Sequence, residues 1–179
     1  MESDLTIRKI ERADADRLLH EFRRQGWAKP REVLEGYYEE QRRGERTVFI
    51  ADCQGETAGY ITLRPTASAG PFAGRGIPEL TDLIVFIRFQ RRGIGSRLLE
   101  AAEKAAASSG SAVTLGVGLH SGYGPAQRLY VKRGYIPDGS GVWFRDQPLD
   151  PYADCRNDDE LILYMSKKLK REGGADDEA

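Results

Sequence analysis

Between Val85 and Glu100 the chain reads Val-Phe-Ile-Arg-Phe-Gln-Arg-Arg-Gly-Ile-Gly-Ser-Arg-Leu-Leu-Glu, and its chemistry is that of an anion site. An apolar strand, Leu83 to Ile87, breaks into a basic, glycine-containing turn. A helix follows, in which Ile94, Leu98, Ala102 and Ala105 recur at helical spacing. The first turn of a helix carries backbone N–H groups with no internal partner, and the aligned peptide dipoles place partial positive charge there. Gly93 and Gly95 remove the Cβ atoms that would hold a ligand away from those amides. Gln90, Arg91 and Arg92 add donors and charge on the approach side. A pyrophosphate suits such a turn.

The common nucleotide loops do not fit the spacing. A dinucleotide fingerprint needs a third glycine where this chain has Leu98, and the Gly-Lys-Ser/Thr of a P-loop is absent. What remains is Gln90-x-x-Gly93-x-Gly95 at the mouth of a helix, with Val85 five residues before Gln90. Further on stands Ala126-Gln-Arg-Leu-Tyr130-Val-Lys-Arg-Gly134-Tyr135. The first pattern resembles motif A of the GNAT superfamily, the acyl-CoA-dependent N-acetyltransferases, written Val-x-x-x-x-Gln/Arg-x-x-Gly-x-Gly/Ala. The second resembles that family's later segment Ala-x-x-Leu-Tyr-x-Lys-x-Gly-Phe. With the order of elements, the resemblance extends over Leu5 to Leu169.

The resemblance implies acetyl-CoA as acyl donor and a primary amine as acceptor, attacking directly in a ternary complex. It implies cofactor contacts at Leu83, Val85, Gln90, Arg91, Arg92, Gly93, Ile94, Gly95 and Ser96, and it puts Tyr130 where the family has its general acid. Three positions depart from the pattern. Tyr123 stands where the family often carries an Asn that holds the cofactor arm, Ile87 stands for a common proline, and Tyr135 for the usual Phe. The missing Asn leaves backbone groups of Val85 and its neighbours to hold the pantetheine arm.

Acetyl transfer to an amine needs a base for the amine, a donor for the oxyanion and an acid for the departing thiolate. A free thiol has a pKa of about 8.5 and a phenol about 10, so a tyrosine beside the sulfur is a suitable donor. The base is read from strand parity. Alternation puts Glu79, Thr81, Leu83 and Val85 on one face and Leu80, Asp82 and Ile84 on the other. Relatives place a carboxylate an even number of residues before the motif valine, which Glu79 satisfies and Asp82 does not; Asp82 is the fallback. His120, after the next strand, is a loop histidine or a proton relay. Trp27, Tyr37 and Tyr38 lie on the early helices that line the acceptor pocket in relatives, or else they belong to the core. A non-catalytic acetyl-CoA sensor would keep Gln90 to Ser96 without needing Glu79 and Tyr130, so retention of both favours an enzyme. A protein or peptide amine is the alternative acceptor to a small molecule.

The elements that must position these groups follow from periodicity. Leu5 to Ile10 suggests a strand. Ala13 to Gly26 and Pro30 to Gly44 read as helices, and Thr47–Ala51 and Thr57–Leu63 as strands joined at Gln54-Gly55. Arg64 to Pro78, rich in Gly, Ala and Pro, is either a functional loop or a loose hairpin tip. Glu79–Ile87, Gly93–Ser109, Ala112–Leu119 and Pro125–Arg133 then alternate strand and helix, and Gly141–Arg145 and Glu160–Met165 are the last strands. Gly116 and Gly118 share one face of their strand, so something packs unusually close there. The expected fold is mixed α/β: a mainly antiparallel sheet, helices on both faces, and a splayed parallel strand pair at the glycine turn.

One domain, residues 1–170, and a disordered charged tail, 171–179, account for the length. The 27 basic and 28 acidic residues balance, which argues against nucleic acid or an anionic membrane as partner. Cys53 and Cys155 make no disulfide framework, and neither has metal-ligand spacing with His20 or His120. With no apolar leader and no membrane-length run, the chain reads as cytoplasmic, with a homodimer left open.

Overall fold

The computed structural model describes residues 5–170, so the expectation of a disordered tail at 171–179 falls outside the described residues. The chain forms two compact units. Among the described residues, one comprises those up to Arg64 together with Leu80–Ala105, and the other Pro65–Glu79 together with those from Ala106 to Lys170.

In the first unit β1 (Leu5–Lys9), β2 (Thr47–Cys53), β3 (Glu56–Arg64) and β4 (Glu79–Val85) lie in that order. β1 and β2 pair antiparallel from Leu5 opposite Cys53 to Lys9 opposite Phe49. β2 and β3 close a two-residue hairpin at Gln54-Gly55, whose positive φ values of 57° and 80° match the twist of the flanking strands. From Thr57 to Leu63 every residue of β3 is buried, so both faces of this strand are covered. Gly59 is required because Ile84 O and Val85 Cα occupy the space its Cβ would need, which draws β3 and β4 close together.

α1 (Asp14–Arg24) and α2 (Arg31–Arg42) bury Leu18, Leu19, Phe22, Leu34 and Tyr37. Phe22 meets Phe86 edge-on at 5.2 Å and Tyr60 at 6.3 Å, an arrangement that aligns ring edges with ring faces. α3 (Ile94–Ala107) buries Ile94, Leu98, Leu99 and Ala102.

The start of α1 is held by a buried ion pair. Arg8 donates from Nη1 and Nη2 to the Asp14 carboxylate at 2.6 and 2.8 Å, and the Glu11 amide donates to Asp14 Oδ2 at 2.8 Å. Burial raises the Asp14 pKa, but Arg8, the Glu11 amide and Arg17 together outweigh it and hold the carboxyl below its usual range. A depressed carboxylate pKa gives stability that is complete above the unfolded-state value and lost as pH falls through the folded one. Asp14→Ala is expected to lower unfolding stability by about 2–3 kcal/mol near neutral pH, and by progressively less in acid. Urea titrations at several pH values measure this; a pH-independent loss would place the cost in packing.

In the second unit β5 (Ala112–Gly118), β8 (Leu161–Lys168), β6 (Ile136–Phe144) and β7 (Gln147–Pro148) lie in that order, every pair antiparallel. α4 (Gly124–Lys132) follows β5 through a 3-10 turn at Ser121–Tyr123. β6 begins five residues earlier than Gly141, because the strand runs on through Gly139 and Gly141 with a register shift between Pro137 and Val142. The two-residue β7 adds a strand that periodicity could not signal.

The long loop is closed rather than loose. The Ala67 amide bonds Ile77 O at 2.8 Å, and Phe72 is buried against Tyr164 with their rings 6.5 Å apart. The Gly70 amide donates to Asp146 Oδ1 at 2.6 Å. Gly70 has φ 66°, and a Cβ there would run into the Tyr164 ring. Gly116 and Gly118 are explained as expected: Ile162 and Tyr164 crowd the first, and the Tyr123 ring lies over the second. The class is the mixed, mainly antiparallel α/β fold that the element order implies.

Candidate functional site

The turn after β4 has a backbone form that suits an anion. A 3-10 turn at Ile87–Phe89 leads to Arg91, in a left-handed backbone at φ 60°, and Gly93, at φ 78°. Left-handed residues interspersed in a turn aim successive amides into one concavity. α3 then starts at Ile94, and the Arg97 amide bonds Gly93 O at 3.2 Å. The amides ahead of Arg97 have no carbonyl of the preceding turn to reach, which leaves them for a ligand. Within 4 Å of where a Gly93 Cβ would stand there is no protein atom beyond its chain neighbours, so the approach is open. These features fit a pyrophosphate, and Arg91 and Arg92 are exposed beside it.

α1 clamps this turn from behind. The Gln25 side-chain oxygen accepts from the Ile87 amide at 3.0 Å, and one helical turn earlier Glu21 takes Arg88 through two bonds of 3.1 and 2.8 Å. Arg88 also reaches Glu56 at 2.7 Å and lies 4.1 Å over the Phe89 ring. Gln90 folds back so that its amide donates to Val85 O at 3.0 Å. That carbonyl, expected to face the cofactor arm, therefore already has a side-chain donor.

Strict alternation along β4 fails at Asp82. Asp82 has φ 50°, a left-handed conformation that interrupts the pleat. As a result Thr81 and Asp82, although consecutive, serve one cluster. Thr81 and Thr62 share a hydroxyl–hydroxyl bond of 2.5 Å, and Arg46 Nη1 reaches Thr62 Oγ1 at 3.0 Å and Asp82 Oδ2 at 3.5 Å. The Tyr37 hydroxyl donates to Asp82 at 2.8 Å, and Lys29 Nζ stands 3.9 Å away. The Arg46 guanidinium and Lys29 Nζ lie 4.9 and 5.5 Å from the Tyr37 ring centre. Burial, then the Asp82 charge, drive the Tyr37 phenol far above its ordinary value. A parity count from Val85 through Asp82 thus does not carry to Glu79.

Glu79 is 7% exposed. The carbonyl of Pro78 just before it accepts from the Thr114 amide at 2.9 Å and hydroxyl at 3.1 Å. The Tyr164 phenol is pushed up to about 12 by burial and by the charges of Asp146 and Glu79. Tyr130 is 8% exposed, with its ring edge-on to Tyr135 at 5.8 Å. Burial, then Tyr123, push its phenol up to about 12, so the hydroxyl is a protonated donor at any working pH.

Tyr123 does not act as the family's Asn would. Its ring lies over Gly118, and its hydroxyl donates to Asp159 at 2.8 Å. His120 bonds the same Asp159 oxygen at 3.0 Å, and the Gln127 amide takes Gly118 O at 2.8 Å.

Among the expected aromatics, Tyr37 is core while Trp27 is 45% exposed. The turn residues Gln90 to Ser96 are contiguous in space as in sequence. Sequence reasoning missed the Glu21–Gln25–Arg88 clamp, the Tyr37–Arg46–Lys29 surround of Asp82, and Asp159. The bonds these groups make to Ile87, Arg88, Asp82 and Asp159 reach across 36 to 67 positions, for which no local spacing gives a signal.

The Acetyltransferase (GNAT) family model matches residues 13–135. Among solved structures, yncA of Salmonella typhimurium, solved with its cofactor acetyl-CoA, is 18% identical with a TM-score of 0.67, covering 97% of this chain and 98% of that one. The ribosomal-protein-alanine N-acetyltransferase of Brucella melitensis is 20% identical with a TM-score of 0.68, covering 92% and 99%. A spermidine N-acetyltransferase SpeG chimera from Vibrio cholerae and hSSAT is 16% identical with a TM-score of 0.65, covering 93% and 96%. No curated protein matches the chain.

Proposed function

The chain belongs to the GNAT acetyltransferase family and is an acetyl-CoA-dependent N-acetyltransferase, and from that premise we propose that it acetylates a primary amine of a small molecule by direct attack. The observation that carries the reading is the turn from Gln90 to Ser96, whose left-handed Arg91 and Gly93 and helix-start amides suit a pyrophosphate. Acetyl-CoA supplies an activated thioester there, and the protein supplies position and protons. Arg91 and Arg92 bring charge to the phosphates. Tyr130 gives its proton to the departing sulfur, and Glu79 takes one from the acceptor ammonium, directly or through water. Balanced charge along the chain, with no long one-sign track, favours a small acceptor over a peptide. Two free cysteines, Cys53 and Cys155, suit the reducing cytoplasm.

Asp82, the other acid of β4, is the fallback base. Its carboxylate already accepts from Tyr37 and stands between Lys29 and Arg46, contacts that a base must surrender to take a proton. Glu79→Gln is expected to lower kcat/KM for the amine by about 10²-fold near neutral pH. The loss should shrink at high pH, where the amine is already neutral. If Asp82→Asn shows that pattern and Glu79→Gln does not, the base is Asp82. The reading as a whole is tested by thiol release from acetyl-CoA against polyamines, amino acids, aminoglycosides and peptide N-termini. Turnover confined to peptides would remove the small-molecule acceptor.

A further inference from the structure

The second unit contains a side-chain network outside the reacting groups, and it converges on the start of α4. His120 ends the segment after β5, and its Nδ1 accepts from the Gly122 amide at 3.1 Å, capping the 3-10 turn that runs into α4. With Nδ1 used as an acceptor, the ring proton lies on Nε2, which donates to Asp159 Oδ1 at 3.0 Å. The same oxygen accepts from the Tyr123 hydroxyl at 2.8 Å. The His120 and Tyr123 rings face each other with centroids 4.5 Å apart. Tyr123 also lies over Gly118, while Gln127, four residues on, ties its amide to Gly118 O at 2.8 Å. His120 and Tyr123, at the two ends of the 3-10 turn, thus meet at one carboxylate from the polar segment before β8, and Gln127 separately ties the first turn of α4 to the end of β5.

We infer that Asp159 and His120 form a latch that fixes the N-terminal end of α4 and thereby holds the Tyr130 hydroxyl at the reacting sulfur. Seven residues separate Tyr123 from Tyr130, close to two helical turns, and the backbone is right-handed helical at Tyr123 and Gly124, which puts the two positions on one side of the segment. A shift of Tyr123 is therefore passed along a short rigid element to Tyr130. Tyr130 is itself set in packing, edge-on to Tyr135, and cannot compensate by rotating freely. The Asp159 side chain is 78% exposed, so removing it leaves no cavity and no buried orphan charge. Asp159 and His120 are positioning residues: neither transfers a proton to substrate. This role rests on the assignment of Tyr130 as the acid.

The test is a double-mutant cycle on the full chain with acetyl-CoA and the best amine of the panel. Asp159→Ala is expected to lower kcat about tenfold, since displacement of a catalytic group by an ångström costs up to about 10². KM for both substrates and calorimetric affinity for acetyl-CoA should stay within about twofold, because Asp159 and His120 are not among the residues assigned to the phosphates. Asp159→Asn keeps the oxygen that accepts both donors and should restore more than half of wild-type kcat. In a Tyr130→Phe background, Asp159→Ala should cost less than about twofold, since its effect acts through the missing hydroxyl. An undiminished loss in that background overturns the inference, as does an Asp159→Ala enzyme with more than half of wild-type kcat. Amide exchange at Gly122 and along α4 should quicken in Asp159→Ala; unchanged exchange also overturns the latch. If Tyr130→Phe alone leaves kcat intact, the acid assignment fails. Exchange then decides separately whether the latch orders α4.

Discussion

Tyr130→Phe is expected to lower kcat at least tenfold while folding and acetyl-CoA affinity change little. The phenylalanine ring keeps the edge-on contact with Tyr135 at 5.8 Å and the burial of a residue only 8% exposed. What it removes is one proton donor, and positioned acid catalysis is worth about 10² to 10⁴ in rate. The Tyr130 pKa, pushed up to about 12 by burial and then by Tyr123, fits this role in a specific way. Such a phenol is a weaker acid than one in water, but the same dry surroundings raise the basicity of a departing thiolate, so the two values move together. Because the hydroxyl stays protonated until about pH 12, wild-type kcat should show no alkaline loss from this group up to pH 10. A Phe enzyme with more than half of wild-type kcat, and chemistry shown to be rate-limiting, would return Tyr130 to the core.

The parts of this site that were legible in the sequence are those built from neighbours along the chain. The order of strand, glycine turn and helix start around Gln90 to Ser96 could be read because those elements are neighbours along the chain, and the fold has them in that order. Gly116 and Gly118 were readable because a missing Cβ in a strand implies a close neighbour. The neighbours themselves, Tyr164 and Tyr123, were not, since they arrive from other elements. Asp82 shows where alternation breaks down. Period-two reasoning assumes an unbroken pleat, and one left-handed residue cancels it without changing the local pattern of apolar and polar side chains. The strand through Gly139 and Gly141 was hidden for the opposite reason. Pro137, Gly139 and Gly141 carry turn signals, and both glycines do take positive φ, yet pairing with β8 on both sides of the register shift keeps the strand continuous. Asp159 lies in the acidic stretch Asp158-Asp159-Glu160, where no spacing marks it out. Only the fold brings it to His120 and Tyr123.

Gly93 provides the sharpest test of the phosphate cradle, because two separate effects act on one residue. Its φ of 78° lies in the left-handed region, where a Cβ costs about 1–2 kcal/mol. That alone amounts to roughly a tenfold change in any equilibrium requiring this conformation. In addition, no protein atom beyond its chain neighbours lies within 4 Å of where its Cβ would stand, so a larger side chain would project into open space. Gly93→Leu adds bulk and an unfavourable backbone preference, and is expected to weaken acetyl-CoA binding by more than tenfold in calorimetric titration. Gly93→Asn separates the two effects, since Asn enters the left-handed region more readily than other side chains. If backbone preference dominates, Asn should retain affinity within a few-fold of wild type. If the obstacle is the side chain itself, Asn and Leu should lose similar amounts. Neither variant should disturb the core, because Gly93 is exposed and the Arg97 bond to its carbonyl does not involve a side chain. Unchanged affinity in Gly93→Leu, with the fold intact, would mean that the pyrophosphate does not rest on the amides at the start of α3.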